Sequence, residues 1–130
     1  MTSTVQRVAF VLGWILIALG IVGFLTAPAA TTTDSAHAAR LFGLFPVNIA
    51  HNVLHLTWGV WGIAASQYHA SSREFARISG VVYLVLAALG LVWTSFAGLF
   101  PIGSNDIWLD ALIGIVLAWA GFTDHARAVV

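Results

Sequence analysis

The sequence predicts an all-α fold, an integral membrane four-helix bundle made of two parallel transmembrane hairpin repeats. The composition is the first reason, because 60% of the residues are hydrophobic, 8% are charged, and lysine is absent. The second is the mean hydropathy of +0.95. The third is a repeated Gly-Leu-Phe-Pro motif, at Gly43 and Gly98. A soluble bundle needs a polar outer face on every helix, and these few charges cannot supply four such faces.

The 130 residues suit a single membrane domain, residues 1–130, because only short connections separate its apolar runs. A helix needs about 20 residues to cross a hydrocarbon core of about 30 Å. By that measure, the predicted spans are approximately residues 5–26, 47–66, 75–97 and 105–122.

The first run could also be a cleaved signal peptide, since Arg7 precedes it and Ala27-Pro28-Ala29 resembles a cleavage site. It is longer than the usual apolar core of a signal peptide, about 7 to 15 residues, and a copy of it recurs later in the chain. We therefore expect it to be a retained span.

The first connection, residues 28–42, is polar and rich in small residues. Asp34 or Ser35 is expected to cap a short interfacial helix that ends near Gly43. In both Gly-Leu-Phe-Pro motifs, we expect glycine near a helix end and proline at the start of the next helix.

Two internal shifts define the repeat. A shift of 55 residues carries Gly43 onto Gly98, and also His51 onto Asp106 and His55 onto Asp110. A shift of 70 residues carries the first span onto the third. The repeat units are residues 5–66 and 75–122. Since each unit holds two spans, both units enter the membrane from the same side, with any pseudo-twofold axis along the membrane normal.

The arginines predict the orientation. Arg7, Arg73, Arg77 and Arg127 fall on one side of a four-span arrangement, and Arg40 falls on the other. Basic residues accumulate on the cytoplasmic side of membrane proteins. We therefore expect a multi-pass protein of the cell inner (plasma) membrane with cytoplasmic N- and C-termini.

The two histidines and two aspartates are the residues of the sequence that most suggest a functional site. Residues four apart share one face of a helix, so His51 and His55 point the same way, as do Asp106 and Asp110. Buried polar groups in a membrane usually pair with one another. A pseudo-twofold arrangement brings the histidines opposite the aspartates.

Several interpretations of these residues remain open. The plainest is a structural polar cluster, in which His–Asp hydrogen bonds assisted by Asn48 and Asn52 fasten the two hairpins together. A second is a metal site formed by His51, His55, Asp106 and Asp110. A haem or chlorophyll-type pigment held by a histidine is a third. A proton or ion path is disfavoured because few polar residues continue below His55.

Other classes are excluded or unsupported. There is no cysteine, so disulfides and thiolate metal sites are excluded. The formal net charge is zero and no basic run exists, so nucleic acid is not an expected partner. The sequence has no nucleophile elbow, phosphate loop or dinucleotide fingerprint, and we expect no enzymatic activity.

The stretch from Gly43 to Ser66 and the copy beginning at Leu99 resemble a family of small four-span bacterial membrane proteins described only as a domain of unknown function. The similarity covers nearly the whole chain, and its most specific part is the pattern N-x-x-H-N-x-x-H-x-x-x-G from Asn48 to Gly59. Members of that family often carry histidine where this chain has Asp110. The resemblance implies the fold, and it implies that any shared histidine chemistry is altered here.

The leading functional prediction is a structural or accessory membrane subunit that packs within a larger assembly, such as a respiratory or photosynthetic complex. Its expected partners are the lipid bilayer and other membrane subunits or further copies of the chain. The alternative is a membrane protein that binds a metal, haem or pigment through the histidine and aspartate stripes. The sequence identifies no specific cofactor.

Overall fold

The structure, a computed structural model, describes residues 2–125. Within these residues the chain forms four helices and four short strands, so the predicted all-α four-helix architecture is confirmed at the level of its helices. In chain order the elements are α1 Thr4–Thr26, β1 Ala39–Leu41, β2 Phe45–Val47, α2 Ile49–Ala65, α3 His69–Gly90, β3 Ser95–Phe96, β4 Phe100–Pro101 and α4 Asp106–Thr123. The two halves thus share one element order, in which a β-hairpin joins two helices.

Both ends of α1 follow from its sequence. Ser3 and Gln6 form a capping box, in which the Ser3 hydroxyl accepts from the Gln6 N–H and the Gln6 side chain accepts from the Ser3 N–H. The Asp124 carboxylate accepts a further bond, of 2.6 Å, from the Val5 N–H. The helix ends at Thr26, two residues before Pro28, because the residue before a proline disfavours helical backbone.

The first Gly-Leu-Phe-Pro motif forms the turn of a β-hairpin. Leu41 pairs with Phe45 across the antiparallel strands, and the Leu44 N–H donates to the Leu41 carbonyl over 3.0 Å. Phe42 and Gly43 both have positive φ, of 55° and 71°. Two consecutive central residues with positive φ are typical of type I′ turns, whose twist matches that of the flanking strands.

The second motif repeats this geometry. Phe96 pairs with Phe100, and the Leu99 N–H donates to the Phe96 carbonyl over 2.8 Å. Ala97 and Gly98 have φ of 48° and 70°. The glycine that the repeat preserves therefore lies at a turn position where L-residues are strained.

Two expectations for the connections are wrong. The glycine and proline of each motif belong to a β-hairpin and do not end one helix and begin the next. Among residues 28–42, all of which the structure describes, there is no interfacial helix. The Asp34 carboxylate instead accepts from the Ala36 N–H in a turn, and the Ser35 N–H donates to the Thr94 carbonyl in the other half of the chain.

The third helix is displaced from its predicted bounds of residues 75–97. It begins at His69, six residues earlier than predicted. Its first turns contain polar residues, and the Ser72 hydroxyl donates to the Ala65 and Tyr68 carbonyls there. It ends at Gly90, after which the chain turns into β3. The bounds of the other three helices differ from the prediction by one or two residues.

Helices pack mainly within each half, α1 on α2 and α3 on α4. The backbones of α1 and α2 approach closely at Gly13 and Gly59, where a Cβ on either residue would lie under 3.0 Å from the carbonyl oxygen of the other. Small residues allow such contact between helix backbones. The core between the halves is formed by Val5, Ala9, Leu16, Ala65, Phe75, Ala76, Tyr83, Ile113, Leu117 and Ala120.

Of the helices described, α1 and α4 are long and apolar enough to cross a membrane. Helix α2 has 17 residues, and α3 carries Arg73, Glu74 and Arg77 in its first half. The prediction of four spans therefore stays a prediction. Arg127, one of the orientation signals, lies outside the described residues.

Candidate functional site

The first turns of α2 and α4 meet beneath the two β-hairpins. Asn48 caps α2, and its side-chain oxygen accepts from the His51 N–H over 2.9 Å. His51 Nδ1 lies 3.7 Å from Asp106 Oδ2, and both side chains are buried. This separation exceeds hydrogen-bond distance. The predicted meeting of the two stripes is thus seen at this pair, as a close approach without a formed hydrogen bond.

His55 lies one turn deeper on α2. Its ring is stacked obliquely on His51, with centroids 4.4 Å apart and planes 54° apart. Nδ1 of each ring is enclosed and has no hydrogen-bond partner among residues 2–125. Nε2 is not among these enclosed atoms, which leaves Nε2 as the nitrogen of each ring that can meet another molecule.

A cavity of about 220 Å³ adjoins this histidine pair. It reaches Asp110 on α4 and Tyr83 on α3, so His51, His55 and Asp110 converge on one space, while Asp106 is not part of the wall. The remaining wall is apolar and consists of Leu54, Trp58, Val82, Leu86, Phe96, Phe100, Pro101 and Ile102.

Sequence reasoning missed Tyr83. It is only 6% exposed, and it belongs to the third helix, where no polar stripe was sought. The 70-residue shift pairs it with Gly13 in the first half. A large aromatic residue at the position of a close-packing glycine in the other copy was the available signal that the two halves differ here.

Reciprocal hydrogen bonds join the two hairpins. The Asn48 side chain donates to the Leu99 carbonyl over 2.9 Å, and the Asn105 side chain donates to the Leu44 carbonyl over 3.0 Å. Leu44 and Leu99 correspond under the 55-residue shift. The hydrogen bonds that join the hairpins are therefore made by amide side chains at the starts of α2 and α4, where the sequence predicted His–Asp hydrogen bonds.

Asn52 does not join Asn48 in a polar cluster of side chains. Its side chain is fully buried against Gly23 of α1, and neither amide atom has a hydrogen-bond partner within residues 2–125. A Cβ at Gly23 would collide with this amide. The glycine therefore provides the space that Asn52 fills.

The four residues predicted as metal ligands do not form an assembled ligand set among the described residues. Within residues 2–125 no group of three or more His, Cys, Asp or Glu side chains is placed to hold one ion. A macrocyclic pigment is also a poor fit to the cavity, because an engineered cavity of about 150 Å³ holds a single benzene ring. The arrangement is suited to hydrogen bonding with a small molecule that is mostly apolar.

Comparisons with known proteins identify a family for this chain and give no activity. No curated protein matches the chain, and no solved structure matches it. One family model matches residues 6–123, nearly the whole chain. The chain belongs to the family described as Domain of unknown function (DUF4383).

Proposed function

We propose that this protein crosses the membrane four times. The support is the outer surface of the bundle, where every helix carries large apolar side chains that are exposed in the isolated chain. Examples are Trp14 on α1, Val60 on α2, Val85 on α3 and Ile115 on α4, each at least half exposed. Contiguous apolar surface on this scale indicates contact with lipid or with other membrane proteins.

The proposed orientation puts both termini and the α2–α3 loop in the cytoplasm, since Arg7, Arg73 and Arg77 lie at that end. The two β-hairpins then lie at the opposite face. The absence of cysteine makes this directly testable, because any introduced cysteine is the only thiol in the chain.

We expect Gln67→Cys, in the α2–α3 loop, to react with a membrane-impermeant maleimide only after the cells are opened. Ala36→Cys and Ala97→Cys, near and in the hairpins, should react on intact cells. All three positions are exposed. Labelling of Gln67→Cys and Ala97→Cys from the same side would contradict the four-span proposal.

Within that topology the role we propose is that of a structural or accessory subunit that packs against another membrane subunit. The observation that carries it is a stripe on α4. Its five exposed apolar side chains are spaced alternately four and three residues apart: Trp108, Leu112, Ile115, Trp119 and Phe122. This spacing keeps large side chains on one seam, as helix–helix interfaces require.

The test is the size of the native assembly in membranes solubilised with a gentle detergent. The wild-type chain of 13.8 kDa should migrate as a discrete complex containing a second kind of subunit. Alanine at Leu112, Ile115 and Trp119 together should release it. The matched control is alanine at Phe10 and Trp14 on the exposed face of α1, which should leave the complex intact.

Two outcomes contradict this role. A lone wild-type monomer shows that the stripe faces lipid only. A discrete oligomer containing only this chain shows that the stripe joins copies of the same protein and does not join an accessory subunit to a complex.

A further inference from the structure

The cavity beside His51 and His55 has the size of one substituted ring. Its volume of about 220 Å³ is moderately larger than the space of about 150 Å³ that encloses benzene in an engineered protein core. It is also smaller than the range of about 300–1,000 Å³ usual for drug-sized ligands. A single aromatic ring with small substituents fills it.

The apolar wall favours a flat occupant. Phe96 and Phe100 from the second hairpin are stacked with centroids 5.3 Å apart and planes 26° apart. Trp58 forms another part of the wall, and its orientation is fixed because its indole N–H donates to the Ser79 hydroxyl over 2.9 Å. Aromatic rings gain from offset or edge contacts with such side chains.

The polar part of the wall consists of four residues that are each less than 9% exposed: His51, His55, Tyr83 and Asp110. A neutral imidazole has one donor and one acceptor nitrogen, so His51 and His55 can each either donate to a ligand or accept from it. The Tyr83 hydroxyl is a donor and an acceptor. A hydroxyl group on the ligand both donates and accepts, so it can satisfy a histidine and the tyrosine together, whereas a carbonyl oxygen only accepts.

We propose that this cavity is a binding site for a neutral hydroxylated aromatic ring. The ring lies among Phe96, Phe100 and Trp58, and its hydroxyl meets His55 and Tyr83 at the polar end. His51 and Asp110 complete that end. This assignment rests on the cavity and its lining and does not require the accessory role proposed above.

The half-buried residues of the wall indicate the entrance. Leu54 on α2 and Val82 and Leu86 on α3 are partly exposed, and α2 packs much less extensively on α3 than on α1. The cavity therefore opens between α2 and α3. In a four-span protein this opening faces the bilayer, so the ring can come from a free phenol dissolved in the membrane or from the hydroquinone head of a tailed lipid.

The test uses 4-fluorophenol and 4-fluorotoluene, which have nearly the same shape and differ in the hydroxyl group. Binding to the whole chain in nanodiscs is followed by fluorine NMR, with empty nanodiscs as the control for partition into lipid. We expect saturable binding of 4-fluorophenol that is about tenfold tighter than that of 4-fluorotoluene, as one added hydrogen bond provides.

Two variants test the hydrogen bond to the ligand hydroxyl and the volume of the cavity separately. His55→Phe should remove the preference for 4-fluorophenol while retaining 4-fluorotoluene. Leu86→Trp should fill the cavity and abolish binding of both. Folding of each variant is checked by its thermal unfolding transition and its size in detergent.

Equal binding of both compounds to the wild-type chain, or an unchanged preference in folded His55→Phe, overturns the proposal. So does the absence of saturable binding of either compound to the folded wild-type chain.

Displacement of 4-fluorophenol by a hydroquinone with an isoprenoid tail, at lower concentration than by hydroquinone itself, identifies the lipid source. The reverse order identifies the free phenol. Failure of the accessory role changes none of these outcomes.

Discussion

Asn52 is the buried polar residue whose role is least explained by its contacts. Its amide lies fully buried beside Gly23 with no hydrogen-bond partner within residues 2–125. A buried unpaired amide costs about 1–3 kcal/mol. Leucine has nearly the same shape and no polar atoms, so Asn52→Leu is expected to leave the free energy of unfolding unchanged or raise it by about 1 kcal/mol.

The matched control is Asn48→Leu, measured by the same denaturation in detergent. Asn48 caps α2 and donates to the Leu99 carbonyl, so its replacement should lower the free energy of unfolding by about 1–2 kcal/mol. If Asn52→Leu were as destabilising as Asn48→Leu, Asn52 would have a partner that only the assembled protein supplies.

Asp34, in the first connection, provides a prediction about pH. The backbone N–H of Ala36, followed by the His37 side chain 2.8 Å away, holds the pKa of the Asp34 carboxyl below its ordinary value of 3.8. Both interactions favour the ionised carboxylate. A lowered pKa in the folded chain contributes stability that is present above the unfolded-state pKa and is lost as pH falls through the folded-state pKa.

Carbon-13 NMR of the Asp34 carboxyl should therefore give a titration midpoint below 3.8. His37→Ala should remove part of the shift and leave the rest, because the Ala36 N–H is the larger cause. A midpoint that returns fully to the ordinary value in His37→Ala would show that the histidine alone lowers the pKa.

At the scale of elements, the α1–α2 pair depends on backbone contact at Gly13 and Gly59. A Cβ at Gly59 would lie 2.6 Å from the Gly13 carbonyl oxygen and 2.8 Å from the Ile17 nitrogen. Backbone atoms cannot rotate away as side chains can. We therefore expect Gly59→Ala to separate the helices and to lower the free energy of unfolding by about 1–3 kcal/mol.

Val60→Ala is the control for Gly59→Ala, since Val60 is the next residue on α2 and is 60% exposed. Its effect should stay within about 0.5 kcal/mol. Equal effects of the two substitutions would mean that α1 and α2 do not approach each other at Gly59 as closely as described.

Hydropathy predicts where helices are, but it does not distinguish a helix from an apolar strand. That is why α1, α2 and α4 were predicted within two residues while α3 was not. Residues 91–97 are mostly apolar, and hydropathy therefore predicts a helix there, although they form a turn and β3. The hairpins escaped prediction because Phe42 and Ala97 occupy positive φ without being glycine or asparagine, the usual signals of such turns.

The internal repeat predicts one part of the candidate site, the approach of the histidine helix to the aspartate helix. The 55-residue shift relates His51 to Asp106, and the structure places those two side chains side by side. Tyr83 and the cavity depend on how α3 lies against α2, which periodicity within one helix does not determine. Asn105 was likewise missed, because its partner, the Leu44 carbonyl, belongs to a turn that was not predicted.

At the scale of the whole molecule, polar contacts between the halves concentrate at its two ends. At one end Asn48 and Asn105 join the hairpins reciprocally, with a further bond of 3.0 Å from Arg40 to the Ser104 hydroxyl. At the other end the Val5 N–H donates to the Asp124 carboxylate over 2.6 Å, whereas the bonds from Gln6 to the Ser66 carbonyl and from Arg77 to the Gly121 carbonyl each lie within one half. The hairpins therefore form the polar clasp at their own end, the set of hydrogen bonds that joins the two copies of the repeat there.

If the two hairpins form one clasp, the bonds made by Asn48 and Asn105 should be energetically coupled. Asn105→Ala alone should lower the free energy of unfolding by about 1 kcal/mol, and Asn48→Ala by about 1–2 kcal/mol because the α2 cap is lost as well. The double variant should lose less than the sum, by at least about 0.5 kcal/mol, because the first substitution already lets the hairpins separate. A second cycle pairs Asn105→Ala with Gln6→Ala at the opposite end and should be additive. Additivity in both cycles would mean that the hairpins make two independent contacts and that packing of the helices alone holds the halves together.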